Sequence, residues 1–92
     1  MTFNIIYHPL VLTEDLPELN KTVKSRIRLA IQDKLLNDPL TFGKPLRKSM
    51  KGYRRLRVGD YRVIFRIEGK FVKVLLIKHR SVVYQKSGSR LA

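Results

Sequence analysis

GYRRLRVGDYRVIFRI, residues 52–67, decides how this chain is read. It is two short strands around a Gly59-Asp60 pair, a dipeptide suited to a two-residue hairpin loop. With the turn placed there, Val58 lies opposite Tyr61, Arg57 opposite Arg62, Leu56 opposite Val63 and Arg55 opposite Ile64. Alternation then sends Leu56, Val58, Tyr61, Val63, Phe65 and Ile67 to one face. Arg55, Arg57, Arg62 and Arg66 go to the other, with Ile64 and Tyr53. A like-charge pair directly across a ladder costs some tenths of a kcal/mol. Arginines splayed into water would account for one basic strand. A polyanion lying on the face accounts for the concentration.

The charge outside the hairpin favours a polyanion. The chain has 92 residues and a net charge of +13. Residues 1–43 hold as many acidic as basic side chains, residues 44–80 carry +11 and residues 81–92 carry +2. An excess confined to one segment is the electrostatic footprint of a nucleic-acid binder. An anionic membrane surface fits less well, because no basic amphipathic helix stands out; an acidic protein partner fits too. The length suits one domain, expected to span residues 1–92. A 43% hydrophobic content supports a core. No apolar run reaches membrane-span length and no secretion signal is legible, so a soluble protein is expected. The absence of cysteine excludes a disulfide framework and fits a cytoplasmic location.

Working outward, residues 3–8 read as a first strand. Pro9 suits the first position of a helix carrying Leu10, Val11 and Leu12, which Pro17 ends. Asn20 is a fair N-cap for a helix over 21–37, where Val23, Ile27, Ala30, Ile31 and Leu35 recur at helical spacing. Residues 39–52 form an irregular basic connection. After the hairpin, Glu68-Gly69-Lys70 turns the chain into a strand over 71–79. Val72, Val74 and Leu76 are expected to face the helices, and Lys73, Leu75, Ile77 and His79 to share the arginine face. Residues 80–85 read as a short turn or helix and 86–92 as a flexible tail. The expected fold is α+β: a small, mostly antiparallel sheet with two N-terminal helices on one face and the arginines on the uncovered one.

The motifs Lys44-Pro-Leu, Tyr53-Arg-Arg-Leu-Arg-Val-Gly-Asp-Tyr-Arg-Val-Ile-Phe and Ile77-Lys-His-Arg-Ser-Val-Val-Tyr, in this element order, resemble the RelE/ParE toxin superfamily of bacterial type II toxin–antitoxin systems. The resemblance covers the chain to about Tyr84. It implies a RelE-like toxin fold and a cognate antitoxin partner. In the RelE-like branch it implies an mRNA interferase acting in the ribosomal A site, with ribosomal RNA contacts; in the ParE-like branch it implies inhibition of DNA gyrase. Arg62 falls on the arginine used at the scissile phosphate, Tyr84 on a C-terminal catalytic tyrosine and His79 where some relatives place a catalytic histidine. Lys78 and Arg80 bracket the position of another functional arginine. Arg55 and Tyr53 fall where the founding enzyme has lysines, so that lysine pair is not reproduced. A noncatalytic RNA-binding relative is a third reading.

RNA cleavage without a metal normally uses the 2′-hydroxyl as nucleophile. Guanidinium groups can grip the phosphate and stabilise its developing charge. Arg62, with Arg55 or Arg57 beside it, is the expected clamp. Arginine is always protonated and is a poor base. Histidine changes charge near neutrality, which points to His79, and a tyrosine can transfer a proton or stack on a base, which points to Tyr84. Lys44, Arg47, Lys48, Lys51, Arg57, Lys78 and Arg80 are the expected phosphate contacts. His8, ahead of Pro9, reads as structural. Two histidines without a ligand pattern make no metal site, so no metal or cofactor is expected. An antitoxin would present an acidic, amphipathic segment that orders on binding and covers apolar residues such as Ile64 and Leu75. No membrane partner is expected.

Overall fold

The computed structural model describes residues 2–91. A five-stranded sheet has the order β1-β5-β4-β3-β2, where β1 is Asn4–Tyr7, β2 Lys44–Pro45, β3 Arg54–Val58, β4 Tyr61–Glu68 and β5 Phe71–His79. β1 runs parallel to β5 and the remaining pairs are antiparallel. The hairpin register is the expected one: Val58 faces Tyr61, Arg57 faces Arg62 and Leu56 faces Val63. Gly59 opens the turn at φ 58°, a left-handed conformation that glycine takes without a Cβ penalty.

Between β1 and β2 the chain covers one face of the sheet. Residues 9–15 wind helically and finish in a wide turn over Val11–Asp15, closed by Leu16 N–H donating to the Val11 carbonyl at 2.9 Å. Helix α1, Lys21–Ala30, begins where the Asn20 side chain accepts from the Val23 N–H at 2.9 Å. A second wide turn, Ile31–Leu35, extends it. Val11, Leu19, Ile27, Ile31 and Leu35 pack on Leu56, Val63, Phe65, Val72, Val74 and Ile77 to form the main core. The connection over 39–52 is more ordered than its composition suggests. It holds a short helix α2 (Pro39–Phe42), β2 pairing with β3 through Lys44–Arg55, and a tight turn Lys48–Met50. Gly43 joins α2 to β2 because a Cβ there would collide with the Phe65 ring.

Three expectations are corrected. The β4–β5 register slips between Ile64 and Phe65, a β-bulge at Leu75 of β5, which has no partner in the ladder. Past the bulge the alternation of β5 reverses. Ile77 enters the main core and Leu76 leaves it, while His79 comes opposite Tyr61 on β4. Secondly, the expected tail at 86–92 is helical over 86–91, because helix α3 spans Val83–Leu91; Ala92 lies outside the described residues. Thirdly, the face opposite α1 is not uncovered. Val83 of α3 joins Met50, Ile64, Leu75 and Leu76 in a second core, flanked by Leu46, Tyr53 and Leu91. Ile64 is fully buried and Leu75 is 8% exposed, so neither offers the apolar surface expected for a partner. Each fully buried aliphatic side chain of this kind contributes about 1.5–3 kcal/mol, which is why a polar nine-residue helix stays docked.

Candidate active site

The cationic site forms where the hairpin meets the end of β5. Arg80 N–H donates to the Asp60 carbonyl at 2.8 Å, which holds the chain after β5 against the turn. Helix α3 starts three residues later and presents Tyr84 from its first turn. The result is an open cleft of about 420 Å³ lined by Arg55, Arg62, His79, Arg80, Ser81 and Tyr84. Four of the expected site residues, Arg62, His79, Tyr84 and Arg55, therefore meet in one place, joined by Arg80.

Arg62 is the buried member of the set, at 8% exposure. Its Nη1 donates to the carbonyls of Gly59 and Tyr61, both at 2.9 Å. These bonds fix the guanidinium by its turn-facing nitrogen. Its other donors bond to none of the described residues, and no carboxylate lies within ion-pair distance among them. Burial, and then the charges of Arg57 and Arg55, pull the Arg62 guanidinium below the ordinary arginine range. An anion would relieve that strain on the charged form.

Tyr84 is 46% exposed and accepts a hydrogen bond from Arg55 Nη1 at 3.2 Å. With its oxygen accepting from a cation, the phenol hydrogen remains free to be donated. His79 sits edge-on to Tyr61, ring centroids 5.5 Å apart. Its Nδ1 accepts from the Ser81 N–H at 3.1 Å and lies 2.8 Å from Ser81 Oγ. His8 does the structural work expected of it: its Nδ1 accepts from the Leu10 N–H at 3.0 Å at the start of the first helical turn.

The remaining expected phosphate contacts divide. Arg57 is exposed beside the cleft. Lys44, Arg47, Lys48 and Lys51 are exposed along the loop before the hairpin, outside the cleft. Lys78 stands apart from them. It lies across from Arg62 in the sheet register, but its amine reaches Asp15 at 3.1 Å at the end of the first helical segment and Glu18 at 3.2 Å in the turn after it. Burial alone would lower the Lys78 pKa, and the bonds to those two carboxylates outweigh it and raise it. Lys78 is thus committed to the fold, and Arg80 is the one of the two that lines the cleft.

Sequence reading missed the centre of that arrangement. The Asp15 carboxylate is fully buried. It accepts from the Ile77 N–H at 2.9 Å and takes Arg90 from α3 in a bidentate pair at 2.8 and 3.2 Å. Arg90 also donates to the Leu75 carbonyl at 3.2 Å. Asp15 and Arg90 are 75 positions apart, and neither carries a local pattern that marks it. A second cleft, at the β1 edge, is lined by Ile6, His8, Tyr53, Arg66, Lys73 and Leu75 among others. Its cations are already paired with Glu68, at 3.1 Å for Arg66 and 3.2 Å for Lys73.

A small α+β domain thus gathers Arg55, Arg62, Arg80, a histidine and a tyrosine around one open cleft, with Arg80 also within 3.7 Å of the exposed Asp60 carboxylate. Residues 5–84 match the family model described as ParE toxin of type II toxin-antitoxin system, parDE, and the chain belongs to that family. That family lies within the RelE/ParE toxin superfamily. It is 40% identical over 58 residues to Toxin RelE of Mycobacterium tuberculosis, covering 61% of this chain and 60% of the relative. It is 35% identical over 54 residues to Toxin RelG of the same organism, covering 56% and 62%. The matches thus span about three fifths of these curated relatives. Among solved structures, the RelBE2 toxin–antitoxin complex of M. tuberculosis is similar at TM-score 0.76 and 26% identity, covering 87% of this chain and 100% of that one. A free E. coli RelE mutant matches in fold at TM-score 0.73 and 21% identity, over the full length of both chains. Among the described residues no helix is long and apolar enough to cross a membrane.

Proposed function

We propose that this toxin is a ribosome-dependent mRNA endonuclease that inhibits translation by cleaving RNA through 2′-hydroxyl attack, without a metal. The observation that carries this reading is the convergence of Arg55, Arg62, His79 and Tyr84 on one cleft. The free donors of Arg62 grip the scissile phosphate and stabilise the charge that builds on it, with Arg55 and Arg57 adding to the field. His79 and Tyr84, the latter with its oxygen held by Arg55, divide the proton transfers: one removes the 2′-hydroxyl proton as the 2′-oxygen attacks phosphorus, and the other protonates the 5′-oxygen as its bond to phosphorus breaks. Lys44, Arg47, Lys48, Lys51 and Arg80 hold flanking mRNA and ribosomal RNA phosphates. The partner that silences it is a cognate antitoxin with an acidic segment, as the antitoxin complexes among the fold relatives support. The site of action is the cytoplasm, where ribosomes are.

The family model bears the ParE name, which favours a second reading, inhibition of DNA gyrase. Induced expression with primer-extension mapping of mRNA ends separates the two. Cuts at fixed codon positions, lost in His79→Ala and Tyr84→Phe, are expected. A DNA-damage response without cuts would sink RNA cleavage in favour of gyrase. Salt-sensitive RNA binding with no cuts on programmed ribosomes would indicate a noncatalytic relative.

A further inference from the structure

We infer that the loop over 46–53 is a docking element for ribosomal RNA, separate from the cleft, and that Lys48 at its tip is kept for its charge against backbone strain. This rests on the reading of the toxin as one that acts on ribosomes. Lys48 has φ 56°, and among the described residues it is the only one besides glycine with a positive φ. That conformation sets its Cβ against the following carbonyl oxygen, a strain that glycine at the same place would not carry. The fold imposes it. Leu46 N–H donates to the Tyr53 carbonyl at 3.0 Å and closes the loop. Inside it Met50 N–H donates to the Arg47 carbonyl at 3.1 Å, and Lys51 N–H to the Lys48 carbonyl at 3.0 Å. Met50 is buried in the second core, with Leu46 and Tyr53 packed beside it.

The Lys48 side chain offsets none of this strain within the fold. It is exposed, and it bonds to no side chain among the described residues. Arg47 and Lys51 are exposed beside it, so three cations stand on one short loop with no acid among them. At the loop's base Lys44 lies opposite Arg55 in the β2–β3 ladder, and Arg55 lines the cleft. Strain at a position whose side chain does nothing for the fold indicates a role outside it. A cationic tip without a carboxylate suits phosphate. The loop lies outside the cleft that receives the scissile nucleotide. Its conformation is set before binding, which favours the fixed phosphates of folded RNA over a mobile single strand.

The test compares the whole wild-type toxin with Lys48→Gly, Lys48→Asn and Lys48→Arg. It reads thermal melting, and binding over a range of salt to ribosomes programmed with a message 2′-O-methylated in the A-site codon, so that nothing is cut. A short single-stranded RNA is the second probe. Lys48→Gly should melt a few degrees above wild type, and Lys48→Asn between the two, because asparagine tolerates the left-handed region. Both should bind ribosomes more weakly, with the slope of log affinity against log salt shallower by about 1. Lys48→Arg should keep the wild-type melting temperature and slope, and single-stranded RNA should bind all four alike. A Lys48→Gly protein no more stable than wild type overturns the strain on which the inference stands, and unchanged ribosome binding overturns the contact. Equal weakening on the single strand overturns the ribosomal assignment and gives Lys48 to the message. A wild type that leaves unmodified message uncut, while Lys48→Gly still loses ribosome binding, upholds the docking loop and places the failure with the cleavage reading.

Discussion

Arg62 and Asp15 are both buried charges, and their surroundings are opposite. Asp15 has a backbone N–H, a lysine and a bidentate arginine around one carboxylate. Arg62 has two carbonyls on one nitrogen and no carboxylate among the described residues, with Arg55 and Arg57 nearby. The strand β5 serves both: Ile77 and Lys78 turn to Asp15, and His79 and the following Arg80 turn to the Arg62 cleft. The paired cluster ties three distant segments together, whereas Arg62 holds its charge with no carboxylate partner among the described residues. Position in this fold, not residue type, separates a cation that maintains structure from one that is free to bind.

Removing the carboxylate should break the paired side most severely. Asp15→Ala leaves Lys78 and Arg90 with little solvent and no buried partner, and uncompensated charges of this kind cost about 3–5 kcal/mol. Urea denaturation should show that loss, together with release of α3 in amide exchange; a loss below about 1 kcal/mol would mean that the network holds nothing. On the unpaired side, Arg62→Ala should reduce cleavage by about 10²- to 10³-fold while thermal stability changes far less than in Asp15→Ala. An equal loss of stability would make Arg62 a structural residue and erase the contrast.

Lys78 gives the comparison a pH dependence. Its folded pKa is raised above the ordinary lysine value of 10.5. Its contribution is therefore fully present below about pH 10.5 and is lost as pH rises through the folded value, since the unfolded chain releases that proton first. Denaturation at pH 9 and at higher values should show a steeper alkaline decline in wild type than in Lys78→Met; parallel curves would contradict the assignment. The smallest effect belongs to Arg57→Gln. Removing one member of the Arg57–Arg62 pair should raise stability by a few tenths of a kcal/mol and weaken RNA binding with a shallower salt dependence. A destabilised variant would show that the pair is already relieved within the fold.

The hairpin was legible because its signals are local. A period-2 pattern on both sides of Gly59-Asp60 sets the register residue by residue, and Asn20 marks the start of α1 in the same way. The bulge was not legible. Leu75, Leu76 and Ile77 are consecutive apolar residues, so no polar position marks where the alternation reverses, and Leu76 and Ile77 were assigned to each other's cores for that reason. Helix α3 was hidden too. Tyr84 to Ser89 is polar and includes Gly88, and what holds it is Val83 in the second core and Arg90 on Asp15.

The sequence by itself determined strands β1, β3, β4 and β5, the hairpin register, the start of α1 and the residue types able to bind phosphate and move protons. These follow from spacing and turn chemistry that act over a few residues. Only the tertiary structure decided which cations are free. Lys78 and Arg80 are two positions apart with the same charge, yet one is held between Asp15 and Glu18 in a largely buried cluster and the other lines the cleft, paired only at 3.7 Å with the exposed Asp60. Pairing depends on where distant carboxylates come to rest, and that is settled by packing rather than by any local pattern in the chain.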